Sequence, residues 1–205
     1  MPLMTYLALG DSYTIGESVP AAGRWPVQLA AALRGEGVPL AEPVILATTG
    51  WTTDELSAAM DEAGFAPPWD LVSLLIGVNN QYRGRDAEAY RGEFRRLLQR
   101  AIALADARAG RVLVLSIPDW GVTPFARDSG RDIARIASEL DAYNATARQE
   151  TLQLGARWVD IAPISRTRPT LLADDGLHPS AAQYALWTEA ALPAVRAMLA
   201  AAPAA

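Results

Sequence analysis

The stretch LALGDSYTIGE, residues 7–17, holds an apolar run that ends abruptly in Gly-Asp-Ser. A short, continuous apolar run is typical of a strand that is buried on both faces of a parallel sheet. Gly10 and Asp11 interrupt the run, because both residue types favour turns over strands. The stretch therefore predicts a buried strand with Ser12 at its carboxyl end.

Outward from this stretch, short apolar runs alternate with longer amphipathic ones. The predicted strands cover residues 4–10, 43–50, 69–77, 111–119 and 156–163. The predicted helices cover residues 24–37, 52–64, 86–109, 130–154 and 180–200. A strand followed by a helix, repeated five times, is typical of a parallel sheet with helices on both faces. We therefore predict one α/β domain over residues 1–200, followed by a frayed Ala/Pro-rich tail over residues 201–205.

Two of the predicted helices begin with the pattern of a capping box. Thr52 is followed three residues later by Glu55, and Ser180 is followed three residues later by Gln183. In such a box each of the two side chains accepts a backbone N–H of the first turn or its cap. The pattern supports helix starts at these two places.

Composition limits the kinds of site that the chain can form. The 205 residues include no cysteine and one histidine, His178. A disulfide or a thiolate metal site is therefore impossible, and we expect neither a metal nor a cofactor. All 18 basic residues are arginine and the net charge is −5. This balance argues against nucleic acid or an anionic membrane surface as the main partner.

The first residues of the chain show no pattern of a secretory signal. Residues 1–4 lead straight into the first predicted strand, with no basic segment and no separate apolar segment before it. No apolar run is long enough to span a membrane. We therefore expect a cytoplasmic protein with no integral membrane contact, and the sequence leaves its oligomeric state open.

Polar and small residues gather at the carboxyl ends of the predicted strands, where parallel sheets bind ligands. Ser12, Gly50 and Asn79 follow three different strands, and Asp175 and His178 precede the last helix. A serine hydroxyl becomes a nucleophile when a histidine takes its proton, and a carboxylate orients that histidine. Two backbone N–H groups and an asparagine amide can then bind the oxyanion. The set predicts acyl transfer.

Two neighbours compete for these roles, and each residue also has an ordinary structural alternative as a cap, strand end or turn. Asp174 adjoins Asp175, which we favour because of its spacing from the histidine. Asn80 adjoins Asn79 and competes with it for the oxyanion amide. We expect Asp11 to hold its loop by accepting backbone N–H groups.

Residues near the strand ends are also candidates for the wall of a substrate pocket. These candidates are Trp51, Asn80, Tyr82 and Trp120. Arg83 and Arg85 could meet a substrate carboxylate or phosphate, but we favour simple solvent exposure for both. The connections between elements are short, apart from the stretches around residues 119–129 and 163–174, and none contains a large lid. This predicts an open, shallow cleft for short acyl groups or exposed esters.

Four segments of this chain resemble the motifs of the GDSL-type SGNH hydrolases. GDSYTIGE resembles the first motif of that family, ATTGWTT the second, IGVNNQ the third and DGLHPS the last. They occur in the family's order between residues 10 and 179. The resemblance implies a three-layer α/β/α, flavodoxin-like fold and hydrolysis of a small-molecule ester without a cofactor.

The resemblance also implies roles for single residues. It assigns a catalytic triad to Ser12, His178 and Asp175, and an oxyanion hole to Ser12, Gly50 and Asn79. The third motif departs from the family, in which an aspartate commonly stands at the position of Asn80. This departure raises the question of how the loop after the third strand is anchored.

Two other functions remain open at this point. An acyltransferase would use the same acyl-enzyme and pass the acyl group to an alcohol or a sugar. A flavodoxin-like module could bind a nucleotide or flavin phosphate with the glycine-rich GDSYTIG. We disfavour the module, because the segment has neither a lysine nor the spacing of a known phosphate-binding loop.

Overall fold

Five parallel strands form one sheet in the computed structural model, which describes residues 3–200. The strands are β1 (Tyr6–Gly10), β2 (Val44–Ala47), β3 (Leu71–Leu75), β4 (Val112–Leu115) and β5 (Arg157–Val159). Their spatial order is β2-β1-β3-β4-β5, so the chain runs first to one side of β1 and then to the other. The predicted α/β class and the five-stranded parallel sheet are confirmed.

Helices connect the strands and cover the sheet. Within residues 3–200 they are α1 (Ser12–Ile15), α2 (Trp25–Gly35), α3 (Thr53–Ala63), α4 (Val78–Tyr82), α5 (Ala87–Leu104), α6 (Pro124–Asp128), α7 (Ile133–Gln153), α8 (Ala162–Thr167) and α9 (Ala181–Ala200). Helix α2 packs against α9, and α5 packs against α3 and α7. The sheet therefore lies between two helical layers, as the resemblance implies.

The core forms where these layers meet the sheet. Every residue of β1 and β3 is buried, which explains why neither strand alternates apolar with polar residues. Trp25 of α2 and Trp187 of α9 are fully buried in one layer, and Tyr90 and Phe94 of α5 are buried in the other. The sheet thus has no solvent-facing surface at its centre, and only its strand ends are open to ligands.

The register of the central strands aligns the loops that follow them. Gly10, the last residue of β1, pairs with Ala47 of β2 and with Leu75 of β3. Because the three strands are parallel, the segments after them begin at the same edge of the sheet. These segments carry Ser12, Gly50 and Asn79.

The strands are shorter than the apolar runs that predicted them. Residues beyond the hydrogen-bonded ladder enter loops and the short helices α1, α4 and α8. The capping box at α3 is present, since the Glu55 carboxylate accepts the backbone N–H of Thr52 at 2.8 Å. The second box is only half formed, because the Gln183 side chain donates instead to the Leu171 carbonyl at 3.0 Å.

Two predictions concern membranes and the end of the chain. No helix within residues 3–200 has the length and apolarity that a bilayer crossing requires. The predicted frayed tail, residues 201–205, lies outside the described residues.

Candidate active site

The serine lies in a tight turn after β1, which we call the serine turn (residues 10–16). The Asp11 carboxylate caps α1 by accepting the N–H of Tyr13 at 3.0 Å, as predicted for this residue. Ser12 is the first residue of the helix and is almost fully buried. Gly10 leaves no room for a side chain, because a Cβ atom there would lie 2.6 Å from the Leu75 carbonyl oxygen. Backbone packing therefore fixes the position of the serine.

The turn has few free donors for a phosphate. The backbone N–H groups of residues 13–17 already bond to the Asp11 carboxylate, the Asp11 carbonyl and the Ser12 carbonyl. A phosphate-binding loop needs several free N–H groups that converge on the ligand. The structure therefore gives no support to the nucleotide or flavin alternative.

Burial changes the acidity of Asp11. The residue is fully buried, and its Oδ2 atom has no hydrogen-bond partner among the described residues. Burial raises the pKa of Asp11 from 3.8 to about 7, although backbone N–H groups partly oppose this shift. A carboxyl that titrates near neutrality thus lies next to the serine in the chain.

The histidine lies in the loop before α9, which we call the histidine loop (residues 173–179). Nδ1 of His178 lies 2.7 Å from Oδ2 of Asp175, so it is Asp175, rather than Asp174, that lies against the imidazole. The other carboxylate oxygen, Oδ1, accepts the backbone N–H groups of Leu177 and His178, both at 2.9 Å. These bonds hold the carboxylate in the orientation that the imidazole requires.

A residue from the other end of the chain also contacts this carboxylate. The Ser18 hydroxyl donates to Oδ2 of Asp175 at 2.7 Å. Burial raises the pKa of Asp175, but the hydrogen bonds from Ser18, His178 and the backbone outweigh it and lower the pKa to about 2. Asp175 is therefore an anion at neutral pH.

One cavity of about 220 Å³ brings the serine and the histidine together. Its wall contains Ser12, Gly50, Asn79 and His178, the residues predicted for the triad and the oxyanion hole that lie in one cavity. The other lining residues are Tyr13, Thr49, Val78, Tyr82, Trp120, Phe125 and Leu177. Asp175 is outside the wall and contacts two residues that line it, Leu177 and His178.

Two further hydrogen-bond donors reach the wall from β2 and β3. Gly50 has a φ of +88°, which favours glycine, and a Cβ there would meet no protein atom within 4 Å. The Asn79 amide donates one N–H to the Trp51 carbonyl at 2.9 Å. An amide has two N–H groups, so the second remains for a ligand. The arrangement is suited to an oxyanion between the two segments.

Trp51 and Asn80, which were predicted to bind substrate, lie beside the cavity and do not line it. The Trp51 side chain packs against the core, and its carbonyl holds Asn79. Asn80 is fully buried, and its amide donates to the Thr53 hydroxyl at 2.6 Å and to Glu93 at 3.1 Å. Asn80 therefore anchors the loop after β3 to α3 and α5. Tyr82 and Trp120 do line the cavity, as predicted.

The two arginines predicted as possible anion contacts have acidic partners of their own. Arg83 pairs with Glu55 at 3.1 Å and donates to the Gly50 carbonyl at 2.7 Å. Arg85 pairs with Asp54 at 2.6 Å. Arg83 thus fixes the loop that carries Gly50, and neither guanidinium lies in the wall of the cavity.

Sequence reasoning missed several residues that contact this site, among them Phe125 and Ser18. Phe125 lies in the long connection after β4, and the length of that connection is the one signal that could have indicated it. Ser18 lies in the left-handed region with a φ of 61°. No local pattern marks it, because its partner is 157 positions away.

Residues 8–186 match the model of the GDSL-like lipase/acylhydrolase family. The chain belongs to this family. The predicted resemblance is therefore confirmed, and so is the prediction of a carboxylic ester hydrolase of the GDSL/SGNH type. No curated protein sequence matches the chain.

Several solved protein structures share the fold of this chain at low sequence identity. TesA has a TM-score of 0.73 and 20% identity, with 96% of this chain and 100% of that chain covered. The acetylxylan esterase Axe2 of Geobacillus stearothermophilus has a TM-score of 0.73 and 20% identity, with 95% and 96% covered. A G-D-S-L family protein of Veillonella parvula has a TM-score of 0.68 and 18% identity, with 93% and 97% covered.

Proposed function

We propose that this GDSL-family protein hydrolyses carboxylic esters of short acyl groups through an acyl-enzyme on Ser12. The observation that carries the proposal is the 2.7 Å contact between Asp175 and His178 Nδ1, in a loop that brings the imidazole to the cavity of the serine. Nδ1 bonded to a carboxylate leaves Nε2 as the free basic nitrogen of the ring. The nucleophile therefore comes from the serine turn, and the base and the carboxylate that orients it come from the histidine loop.

The first half of the reaction forms the acyl-enzyme. Ser12 Oγ attacks the ester carbonyl carbon while Nε2 of His178 takes the hydroxyl proton. Asp175 stabilises the resulting imidazolium, and the oxyanion accepts the N–H groups of Ser12, Gly50 and Asn79. The intermediate collapses, the imidazolium gives its proton to the leaving alkoxide, and the alcohol departs.

The second half repeats these steps with water. His178 takes a proton from a water molecule, which attacks the acyl carbonyl of Ser12. The tetrahedral intermediate uses the same oxyanion donors, and its collapse returns the proton to Ser12 Oγ and releases the acid. The triad ends in its starting protonation state, so the cycle consumes only ester and water.

The size and wall of the cavity support short acyl groups. Its volume of about 220 Å³ is below the ~300–1,000 Å³ typical of pockets for drug-sized ligands. The side chains of Val78, Trp120, Phe125 and Leu177 make much of the wall apolar. The name of one structural neighbour, an acetylxylan esterase, is consistent with this choice, because acetyl is a short acyl group.

The test combines labelling with an acyl-chain series. We expect a fluorophosphonate to transfer its phosphonyl group to Ser12 of the wild type, with loss of HF, and to leave Ser12→Ala unmodified. We expect kcat/KM for p-nitrophenyl esters to be highest for acetyl or butyryl and to fall at octanoyl. A wild type that is neither labelled nor active on any chain length would overturn the proposal, and an octanoyl optimum would overturn the short-acyl specificity.

A further inference from the structure

A cation lies against the aromatic wall of the cavity without an acidic partner. The guanidinium carbon of Arg131 lies 4.0 Å from the ring centroid of Tyr82 and 5.7 Å from that of Trp120. Both rings line the cavity that contains Ser12. Among residues 3–200, Arg131 forms no salt bridge with an aspartate or a glutamate.

The position of this guanidinium is fixed by contacts that leave most of its donors free. One Nη1–H bonds to the Tyr82 carbonyl at 3.0 Å, and the planar group lies over the Tyr82 ring. A guanidinium has five N–H donors in a rigid fork, so further donors remain for a ligand. Because the side chain is held in place, binding an anion there costs little additional ordering.

The space next to this guanidinium is a second cavity. It has a volume of about 460 Å³, and Tyr82 lines both cavities. Its other charged groups are already engaged: Arg135 pairs with Glu139 at 2.7 Å, and the Asp132 carboxylate caps α7. Arg83, also in this wall, pairs with Glu55. Within residues 3–200, Arg131 is thus the one arginine of this wall that forms no salt bridge, although its charge also acts on Glu139.

We propose that the second cavity binds an anionic group of the ester substrate, either a carboxylate or a phosphate, and that Arg131 is the residue that binds it. The inference rests on the proposed function and adds a substrate class to it. The ester group lies at Ser12, the uncharged body of the substrate follows the aromatic wall, and the anion passes Tyr82 to reach the guanidinium. Two oxygens of a carboxylate or phosphate match the guanidinium fork.

The experiment compares charged and neutral esters of matched shape. On the alcohol side, the pair is 4-acetoxybenzoate and its methyl ester, with 4-acetoxyphenyl phosphate to separate phosphate from carboxylate. On the acyl side, the pair is p-nitrophenyl hydrogen glutarate and p-nitrophenyl methyl glutarate. The kcat/KM of each variant is divided by that of the wild type on the same ester, so that differences in the intrinsic reactivity of the esters cancel.

Three variants separate charge from packing. Arg131→Met keeps an apolar stem on Tyr82, Arg131→Lys keeps the charge without the fork, and Arg148→Met removes an exposed arginine at the far part of α7. We expect Arg131→Met to lower kcat/KM about 10-fold or more for at least one anionic ester, and less than 2-fold for its neutral partner. For the anionic ester, the kcat/KM of Arg131→Lys is expected to lie between those of the wild type and Arg131→Met. The kcat/KM of Arg148→Met should stay within 2-fold of the wild type on every ester.

The outcomes distinguish this inference from the proposed function. Equal losses on charged and neutral esters would show that Arg131 only supports Tyr82 and would overturn the inference. Calorimetric binding of the anionic esters to Ser12→Ala, with and without Arg131→Met, tests the site without turnover. If the wild type hydrolyses no ester but Arg131→Met weakens this binding about 10-fold, the proposed function fails and the anion site stands.

Discussion

The serine turn and the histidine loop meet at one cavity, but they are held in place in different ways. The serine turn is buried, and backbone contacts with β3 and the cap from Asp11 fix it. The histidine loop is partly exposed, and it depends on the Asp175 carboxylate, which bonds to its own loop, to the imidazole and to Ser18. The core therefore positions the proposed nucleophile, whereas local hydrogen bonds position the proposed base.

This difference predicts two classes of variants. Changes in the serine turn alter packing inside the protein and should act on stability and activity together. Changes in the histidine loop alter contacts near solvent and should act on activity with little effect on stability. Measuring both properties on the same variants therefore tests the comparison.

The largest expected effect comes from the histidine loop. Asp175→Asn removes the charge that we propose stabilises the imidazolium, and it should lower kcat by roughly 10³–10⁴-fold, a loss typical of Ser-His-Asp enzymes. His178→Asn should lower it at least as much. Thermal melting should place both variants within a few degrees of the wild type. If Asp175→Asn keeps a tenth of the wild-type kcat, the orienting role of Asp175 is wrong.

The next effect is a pH dependence of stability that comes from Asp11 in the serine turn. The folded protein keeps a proton on Asp11 up to about pH 7, whereas the unfolded chain releases it near 3.8. The native state thus binds more protons between about pH 4 and 7, so the unfolding free energy falls as pH rises across this window and levels off above it. The slope from this group is on the order of 1 kcal/mol per pH unit.

Asp11→Asn tests this pH dependence, because the amide keeps an oxygen for the Tyr13 N–H and cannot titrate. Urea unfolding of both proteins at several pH values from 4 to 8 gives the difference in unfolding free energy. We expect the variant to gain stability relative to the wild type as pH rises. A difference that does not change with pH would show that Asp11 does not titrate in this range.

A smaller effect is expected for packing in the serine turn. In Gly10→Ala the added Cβ would lie closer to the Leu75 carbonyl oxygen than any ordinary contact allows, so backbone must shift. We expect a loss of about 1–3 kcal/mol in unfolding free energy, together with a loss of activity. Gly35→Ala is the matched control, since a Cβ at that position in α2 meets nothing within 4 Å. Equal stabilities of the two variants would contradict the role of the core in placing the serine.

The smallest effect concerns Ser18 and the histidine loop. Ser18→Ala and Ser18→Gly both remove the hydroxyl from Asp175, and each should lower kcat/KM by only a few-fold because water can replace the donor. Glycine tolerates a φ of 61° better than alanine, so Ser18→Gly should be more stable than Ser18→Ala by about 1 kcal/mol. If Ser18→Gly keeps the wild-type kcat/KM and only the less stable Ser18→Ala loses activity, the hydroxyl has no role of its own.

Much of the architecture could be predicted because it depends on patterns close together in the sequence. Apolar runs such as residues 69–77 identified the buried strands, and amphipathic spacing identified the long helices. The residues of the cavity could be predicted because parallel strands expose their ends at one edge. The four motifs then occur in the order of the family, and this resemblance implied a role for each of those residues.

The rest of the site depends on contacts between distant residues. The short helices α4 and α6 contain five residues each, too few to show a helical period. The pairs Ser18–Asp175 and Arg131–Tyr82 join segments far apart in the chain, and no local pattern predicts either partner. Asn80 was predicted beside the substrate because of its position next to Asn79, but successive residues of a helical turn point in different directions. Its side chain enters the contact between α3 and α5.

The presence of one histidine makes the protein its own spectroscopic reporter. The Nδ1 proton shared with Asp175 is strongly hydrogen bonded, so it should resonate far downfield of the amide region. Every imidazole signal in an NMR spectrum belongs to the same ring, so the signals need no assignment by mutagenesis. Substrate analogues, inhibitors and variants can therefore be ranked by how they move a single resonance at the centre of the cavity.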